Sequence, residues 1–111
     1  MHVVFTSSRL RKDCTDPLVR QRRLGMEQGL KVQLRLTQLH AAPTLADLAL
    51  LPQARFHELT GNRKGQCSVD LNGPYRLIFE VLDDPIPRQP NGGLDLSRVQ
   101  GVRILEITDP H

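Results

Sequence analysis

A chain of 111 residues, 39% hydrophobic and 24% charged, is long enough to bury one core and too ordinary in composition to be disordered, collagen-like or disulfide-stapled. Fifteen Lys and Arg against twelve Asp and Glu give a net charge of +3, which is mildly basic. No apolar run is long enough for a signal peptide or a membrane span, so the expectation is a single cytoplasmic domain over residues 1–111 with no membrane contact.

Residues 2–5, His-Val-Val-Phe, predict an opening strand. Ser7 or Ser8 can cap a helix through Arg9–Cys14, which Asp16-Pro17 would end. Arg9, Arg11, Lys12, Arg20, Arg22 and Arg23 crowd this first quarter. Such a patch fits either a polyanion or acidic protein surface, or a solvated helix face. Met26 to Ala41 has the clearest helical period. At 100° per residue Glu27, Lys31, Arg35 and Gln38 form one polar wedge, which is expected to face solvent. Met26, Leu30, Val32, Leu34, Leu36 and Leu39 fill most of the remainder and are expected to pack on two neighbouring elements. Gly29 within this run either weakens the helix or permits a close approach. Thr44-Leu-Ala-Asp47 resembles a capping box opening a short helix that Pro52 ends.

The period then changes to two. Arg55–Leu59, Gln66–Leu71, Tyr75–Leu82 and Val99–Thr108 predict strands, and Asn72-Gly73-Pro74 predicts a tight hairpin. Residues 83–94, rich in Pro and Gly, predict an exposed loop between the last two strands. Helices followed by hairpin-linked strands give an α+β fold: N-terminal helices packed on a twisted, mainly antiparallel sheet of about four to five strands. Alternation puts Tyr75, Leu77, Phe79 and Val81 on the core face and Arg76, Ile78 and Glu80 on the other. In the preceding strand Cys67, Val69 and Leu71 oppose Gln66, Ser68 and Asp70. One face is therefore apolar and one mixed.

Arg76 on the mixed face can clamp a phosphate or pair with Glu80 or Asp70, and spacing favours the salt bridge. His57, just before the basic turn Gly61-Asn-Arg-Lys-Gly65, can act as acid or base, although a lone strand histidine is more often neither. His2 and His40 read as structural or surface residues. Cys14 and Cys67 read as two free thiols in a reducing compartment. No His or Cys pair has metal-ligand spacing, and no phosphate loop is present, so no metal or cofactor is expected. Taken alone, these residues support a basic α+β domain with a candidate anion site.

The run from Arg55 to Glu80, Arg-Phe-His-Glu-Leu-Thr-Gly-Asn-Arg-Lys-Gly-Gln-Cys-Ser-Val-Asp-Leu-Asn-Gly-Pro-Tyr-Arg-Leu-Ile-Phe-Glu, resembles the signature of HigB-type toxins of the RelE superfamily. Those proteins share His-x-Leu-x-Gly, a basic turn, a Ser-Val strand and Asn-x-x-Arg-Leu-x-Phe. The upstream Ala41–Leu48, the loop from Asp84 to Asp95 and the ending Val102–His111 extend the likeness over nearly the whole chain. The resemblance implies a metal-independent, ribosome-dependent mRNA endoribonuclease in which the RNA's own 2′-hydroxyl attacks the neighbouring phosphate. It also implies a cognate antitoxin, often a helix-turn-helix protein, through which alone the toxin reaches operator DNA. Carried over by position, His57, Arg76, Asp109 and His111 are the expected catalytic residues, and Arg63 and Lys64 the expected RNA-backbone contacts. Pro110 stands where the family's tail has Tyr, which removes an aromatic able to stack on a base. The alternative expectation is a catalytically degenerate toxin-fold module that binds the antitoxin and regulates the operon. A general RNA-binding domain is a weaker third, because only Tyr75 and three Phe are available for stacking.

Overall fold

The computed structural model describes residues 1–109. It opens with β1 (His2–Phe5), followed by α1 (Ser8–Thr15), α2 (Pro17–Leu24) and α3 (Met26–Ala41). Ser7 caps α1 by accepting from the Leu10 N–H at 3.1 Å. Asp16 both ends α1 and starts α2. Its N–H donates back to the Lys12 carbonyl, and its Oδ1 accepts from the Leu18 and Val19 amides. Pro17 occupies the first turn of α2, where its missing N–H costs nothing. The Asp16-Pro17 pair therefore punctuates two helices, and Arg20–Arg23 lie within the second.

The bounds of α3 are those the periodicity predicts, but its rotation is not. Arg35, placed by the sequence in the solvent wedge, is 2% exposed, whereas Met26, Leu30 and Leu34 are 64%, 59% and 44% exposed. Arg35 turns inward because the segments beneath it leave carbonyls to be satisfied. Its Nε donates to the Asp70 carbonyl and its Nη2 to the Gln53 carbonyl, both at 2.7 Å, and its Nη1 donates to Gln38 Oε1 at 3.0 Å. A buried carbonyl without a donor is expensive. Both carbonyls lie far away in sequence, so helical periodicity cannot detect them. Val32, Leu36 and Leu39 face the core. Gly29 marks a close approach: a Cβ there would stand 3.2 Å from Arg20 Cγ.

A short α4 (Leu45–Ala49) follows, opened by the expected box. The Asp47 carboxylate accepts from the Thr44 N–H and hydroxyl at 3.0 and 2.8 Å. The remaining strands are β2 (His57–Glu58), β3 (Gln66–Asp70), β4 (Arg76–Val81) and β5 (Gly101–Thr108). The sheet order is β1-β5-β4-β3-β2. β1 runs parallel to β5, and every other neighbouring pair is antiparallel. The fold is thus α+β with a five-stranded, mainly antiparallel sheet.

Cys67, Val69, Leu71, Leu77 and Phe79 line the face that packs with Val32, Leu36, Leu39, Leu45 and Leu48 into one core. Tyr75 departs from the expected core phase. It precedes β4, lies in the turn and is 45% exposed. The segment 83–94 is a loop as expected, and its first residue is anchored: the Asp83 carboxylate accepts from the Gln100 and Gly101 amides at 3.0–3.1 Å. No helix among the described residues is long and apolar enough to cross a membrane.

Candidate nucleic-acid-processing site on the polar sheet face

Directly paired residues in a sheet point to the same side, so the register assembles the second face. One row runs His57, Ser68, Ile78, Glu106 across β2, β3, β4 and β5. The next rung holds Asp70, Arg76 and Thr108. His57 and Arg76 therefore share a face. They sit two strands and two residues apart, about 12 Å between backbones at ordinary strand spacings. Ser68 and Ile78 in the middle of this face are buried.

Arg76 is the salt-bridged arginine that the spacing favours, and its partner is Asp70 rather than Glu80. Its Nε lies 2.9 Å from Asp70 Oδ1, and both side chains are mostly covered. Its Nη1 donates to the Tyr75 carbonyl at 2.9 Å and reaches the Gly73 carbonyl at 3.4 Å. Asp70 Oδ1 is buried and receives no well-directed hydrogen bond. The Asp70–Arg76 contact is therefore held by charge more than by a directed N–H. Arg55 approaches the other carboxylate oxygen at 3.4 Å. Arg35 donates to the carbonyl of the same residue, and burial lowers its pKa while Asp70 opposes that shift. Three guanidiniums thus converge on Asp70.

Arg63 crosses the neighbouring row. It donates to Gln66 Oε1 at 3.1 Å and to Glu106 Oε1 at 2.8 Å. Arg103 pairs with Glu80 at 2.8 Å. Lys64, expected to act alongside Arg63, instead lines a cavity of about 600 Å³ with Cys67, Val81, Ile86, Arg88 and Leu94. Cys67 and Val81 belong to or pack against the core, so this cavity opens under the 83–94 loop and not among the Arg76 cluster. The structure brings His57, Arg63 and Arg76 to one face, and Lys64 lines a cavity that Gln66, the partner of Arg63, also borders.

Asp109 is exposed and follows Thr108, the partner of Arg76. β5 therefore ends on the rung of Arg76. His111 lies outside the described residues. Sequence reasoning passed over Arg55, Arg103 and Glu106 as members of this face. The signal for Glu106 was available: β5 has apolar Val102 and Ile104, then apolar Ile107, a break in strict alternation. A bulge at Leu105 produces it, since Phe79 pairs with Ile104 and Ile78 with Glu106. Among the described residues, no group of three His, Cys, Asp or Glu lies close enough to hold a metal ion. Cys14 and Cys67 are free thiols, and burial pushes them up to about 11 and about 12.

Helices packed on one face of a mainly antiparallel sheet, with arginines and a histidine collected on the other, are the architecture expected of a RelE-type toxin. The family model for the RelE-like toxin HigB of type II toxin–antitoxin systems matches residues 18–88, well over half of the chain, and the chain belongs to that family. It is similar to Toxin HigB-1 of Vibrio cholerae serotype O1 (strain ATCC 39315 / El Tor Inaba N16961), 47% identical over 49 residues. That match covers 44% of this chain and 52% of the relative, so the chain spans about half the length of the curated relative it matches.

Proposed function

We propose that this toxin is a metal-independent, ribosome-dependent mRNA endoribonuclease, held inactive by a cognate antitoxin of helix-turn-helix type. The observation that carries the reading is the shared polar face. Arg76 occupies a central strand, His57 lies on the same side, and β5 ends at Thr108, directly opposite Arg76. Cleavage of a phosphodiester by its own 2′-oxygen needs three services: a base for the 2′-hydroxyl proton, an acid for the departing 5′-oxygen, and a cation on the equatorial oxygens. The 2′-O–P bond forms, the P–O5′ bond breaks, and the products are a 2′,3′-cyclic phosphate and a 5′-hydroxyl.

In this reading Arg76 stabilises the pentavalent phosphate. His57 or His111 transfers protons, a contribution of about 10²–10⁴-fold. Asp109 orients the imidazole or the ribose. Arg63 and Lys64 hold the RNA backbone, the former on the catalytic face and the latter from its cavity wall, which makes binding salt-dependent. Contact with operator DNA is through the antitoxin.

The test is expression in growing bacteria with and without the product of the adjoining reading frame, with mRNA ends mapped. Codon-phased cuts should appear with the toxin alone. They should fall about 10²–10³-fold in Arg76→Ala, the loss typical of a transition-state cation or donor. Growth arrest without phased cuts would sink the nuclease reading. In the second reading, a non-cleaving toxin-fold module, Arg76 stays paired with Asp70, 2.9 Å away. Antitoxin binding without cuts or arrest is its signature.

A further inference from the structure

The helical layer carries an apolar ridge that nothing among the described residues covers. Met26, Leu30 and Leu34 recur every fourth residue along α3, and Leu18 on α2 is 77% exposed. Pro17, Gln21, Met26 and Leu30 line a shallow hollow of about 120 Å³ between the two helices. Exposed apolar side chains standing singly need no explanation, but a contiguous stripe at helical spacing marks an interaction surface. On the other flank of α2, towards α1, lies a hollow of about 470 Å³ lined by Arg9, Arg11, Lys12, Arg22 and Arg23. The carboxylate on its wall, Asp13, is already bonded to Arg23 at 3.4 Å. At 100° per residue Leu18 falls between Gln21, which lines the first hollow, and Arg22, which lines the second. The apolar stripe and the basic hollow are therefore two sides of one crest.

We propose that this crest of α2 and α3 is the docking surface for the antitoxin, and that the docking element is an amphipathic helix with acidic residues along one edge of its apolar stripe. The inference rests on the toxin–antitoxin reading and adds to it the surface and the chemistry of the partner. Charge selects the occupant. From Ser8 to Ala41 there are eight Lys and Arg against three Asp and Glu. A second copy of this chain would bring the same positive excess to the contact, and like charges facing each other suppress association. RNA would match the basic hollow but would leave the leucine stripe uncovered. An acidic amphipathic helix satisfies both halves by the helix-in-groove mode.

The experiment mixes the purified toxin with the purified product of the reading frame adjoining its gene and measures the dissociation constant. Leu30→Glu with Leu34→Glu changes exposed side chains, and melting curves check that the fold is kept. This double variant should bind at least ~30-fold more weakly, the loss expected when an interface anchor is removed. Lys12→Glu with Arg22→Glu should slow association and flatten its salt dependence. Arg76→Ala, on the other face of the sheet, should bind like the wild type. Wild-type affinity in both double variants overturns the docking surface while leaving the toxin reading intact. Failure of the wild type itself to bind removes the toxin–antitoxin reading and the inference together. A toxin dimer that Leu30→Glu with Leu34→Glu converts to monomer would assign the crest to self-association instead. Displacement of the bound partner by single-stranded RNA would assign it to nucleic acid.

Discussion

Replacing Arg35 by Met separates the buried arginine of the structure from the solvent-facing arginine that helical periodicity predicts. Met keeps the length and apolar stem of the side chain and removes the guanidinium. Three hydrogen bonds disappear, two of them at 2.7 Å to the carbonyls of Asp70 and Gln53. Bonds from charged donors contribute about 1.5–3 kcal/mol each, and an orphaned buried acceptor costs about 1–3 kcal/mol. The variant recovers the desolvation cost of the guanidinium, which offsets part of this loss. The carbonyls belong to the main chain and cannot be removed with their partner, so the offset is incomplete. The net expectation is a loss of about 3 kcal/mol, or about 10–15 °C in Tm for a domain of this length. Urea and thermal denaturation followed by circular dichroism measure it. Arg35→Lys should recover only part, because an ammonium cannot span two carbonyls and Gln38 in one plane. Arg11→Met, an exposed control, should stay within about 0.5 kcal/mol. A change below 0.5 kcal/mol in Arg35→Met would refute the argument, because it is what a solvated arginine gives.

Asp70→Asn should act in two directions: stability should fall by about 1–3 kcal/mol as the contacts to Arg76 and Arg55 lose their charge, while RNA binding gains one uncompensated cation. The slope of log K against log salt for a single-stranded oligonucleotide should steepen by about 0.7, and an unchanged slope would show that Arg76 does not face the RNA. The buried thiols set an alkaline limit. Their folded values lie above the ordinary 9.0, so the neutral form's contribution is fully present below pH 9 and is lost as pH rises through about 11 for Cys14 and about 12 for Cys67. Urea midpoints should be flat from pH 7 to 9 and decline above that range. In the native protein at pH 8 neither cysteine should react with a disulfide reagent, and labelling that precedes unfolding would contradict their burial.

The parts of the fold legible in the sequence are those fixed by local chemistry. Ser7 and the Thr44–Asp47 box each act within a few residues of themselves, so their positions announce helix starts, whereas Asp16, read as a stop, also caps α2. The helix from Met26 to Ala41 is legible because its polar and apolar residues recur at helical spacing. Its rotation was hidden because Arg35 answers carbonyls 18 and 35 residues away. The parallel pairing of β1 with β5 was hidden for a similar reason. It joins the two ends of the chain, and neither strand's alternation names its neighbour. On the polar face, period two sorted Arg76, Asp70 and Ser68 to one side, but it offered both Glu80 and Asp70 as partners for Arg76. Register decides between them. Asp70 is directly opposite Arg76 on β3, while Glu80 is opposite Gln66 and Arg103.

The side on which Thr108 ends β5 depends on one extra residue. Strict alternation along β5 would group Arg103, Leu105, Ile107 and Asp109 on one face, and Val102, Ile104, Glu106 and Thr108 on the other. Val102 and Ile104 are core residues, so that register would drive the Glu106 carboxylate into the core and set Ile107 among the charged side chains. Burying an unpaired carboxylate costs far more than unpairing one rung of a ladder. The bulge at Leu105 is the cheaper solution: it restores Ile107 to the core and gives Glu106 to Arg63. Thr108 then pairs with Arg76 on the polar side. The same packing requirement that fixes the core thus sets Thr108, the last residue of β5, beside the arginine on which the proposed chemistry turns.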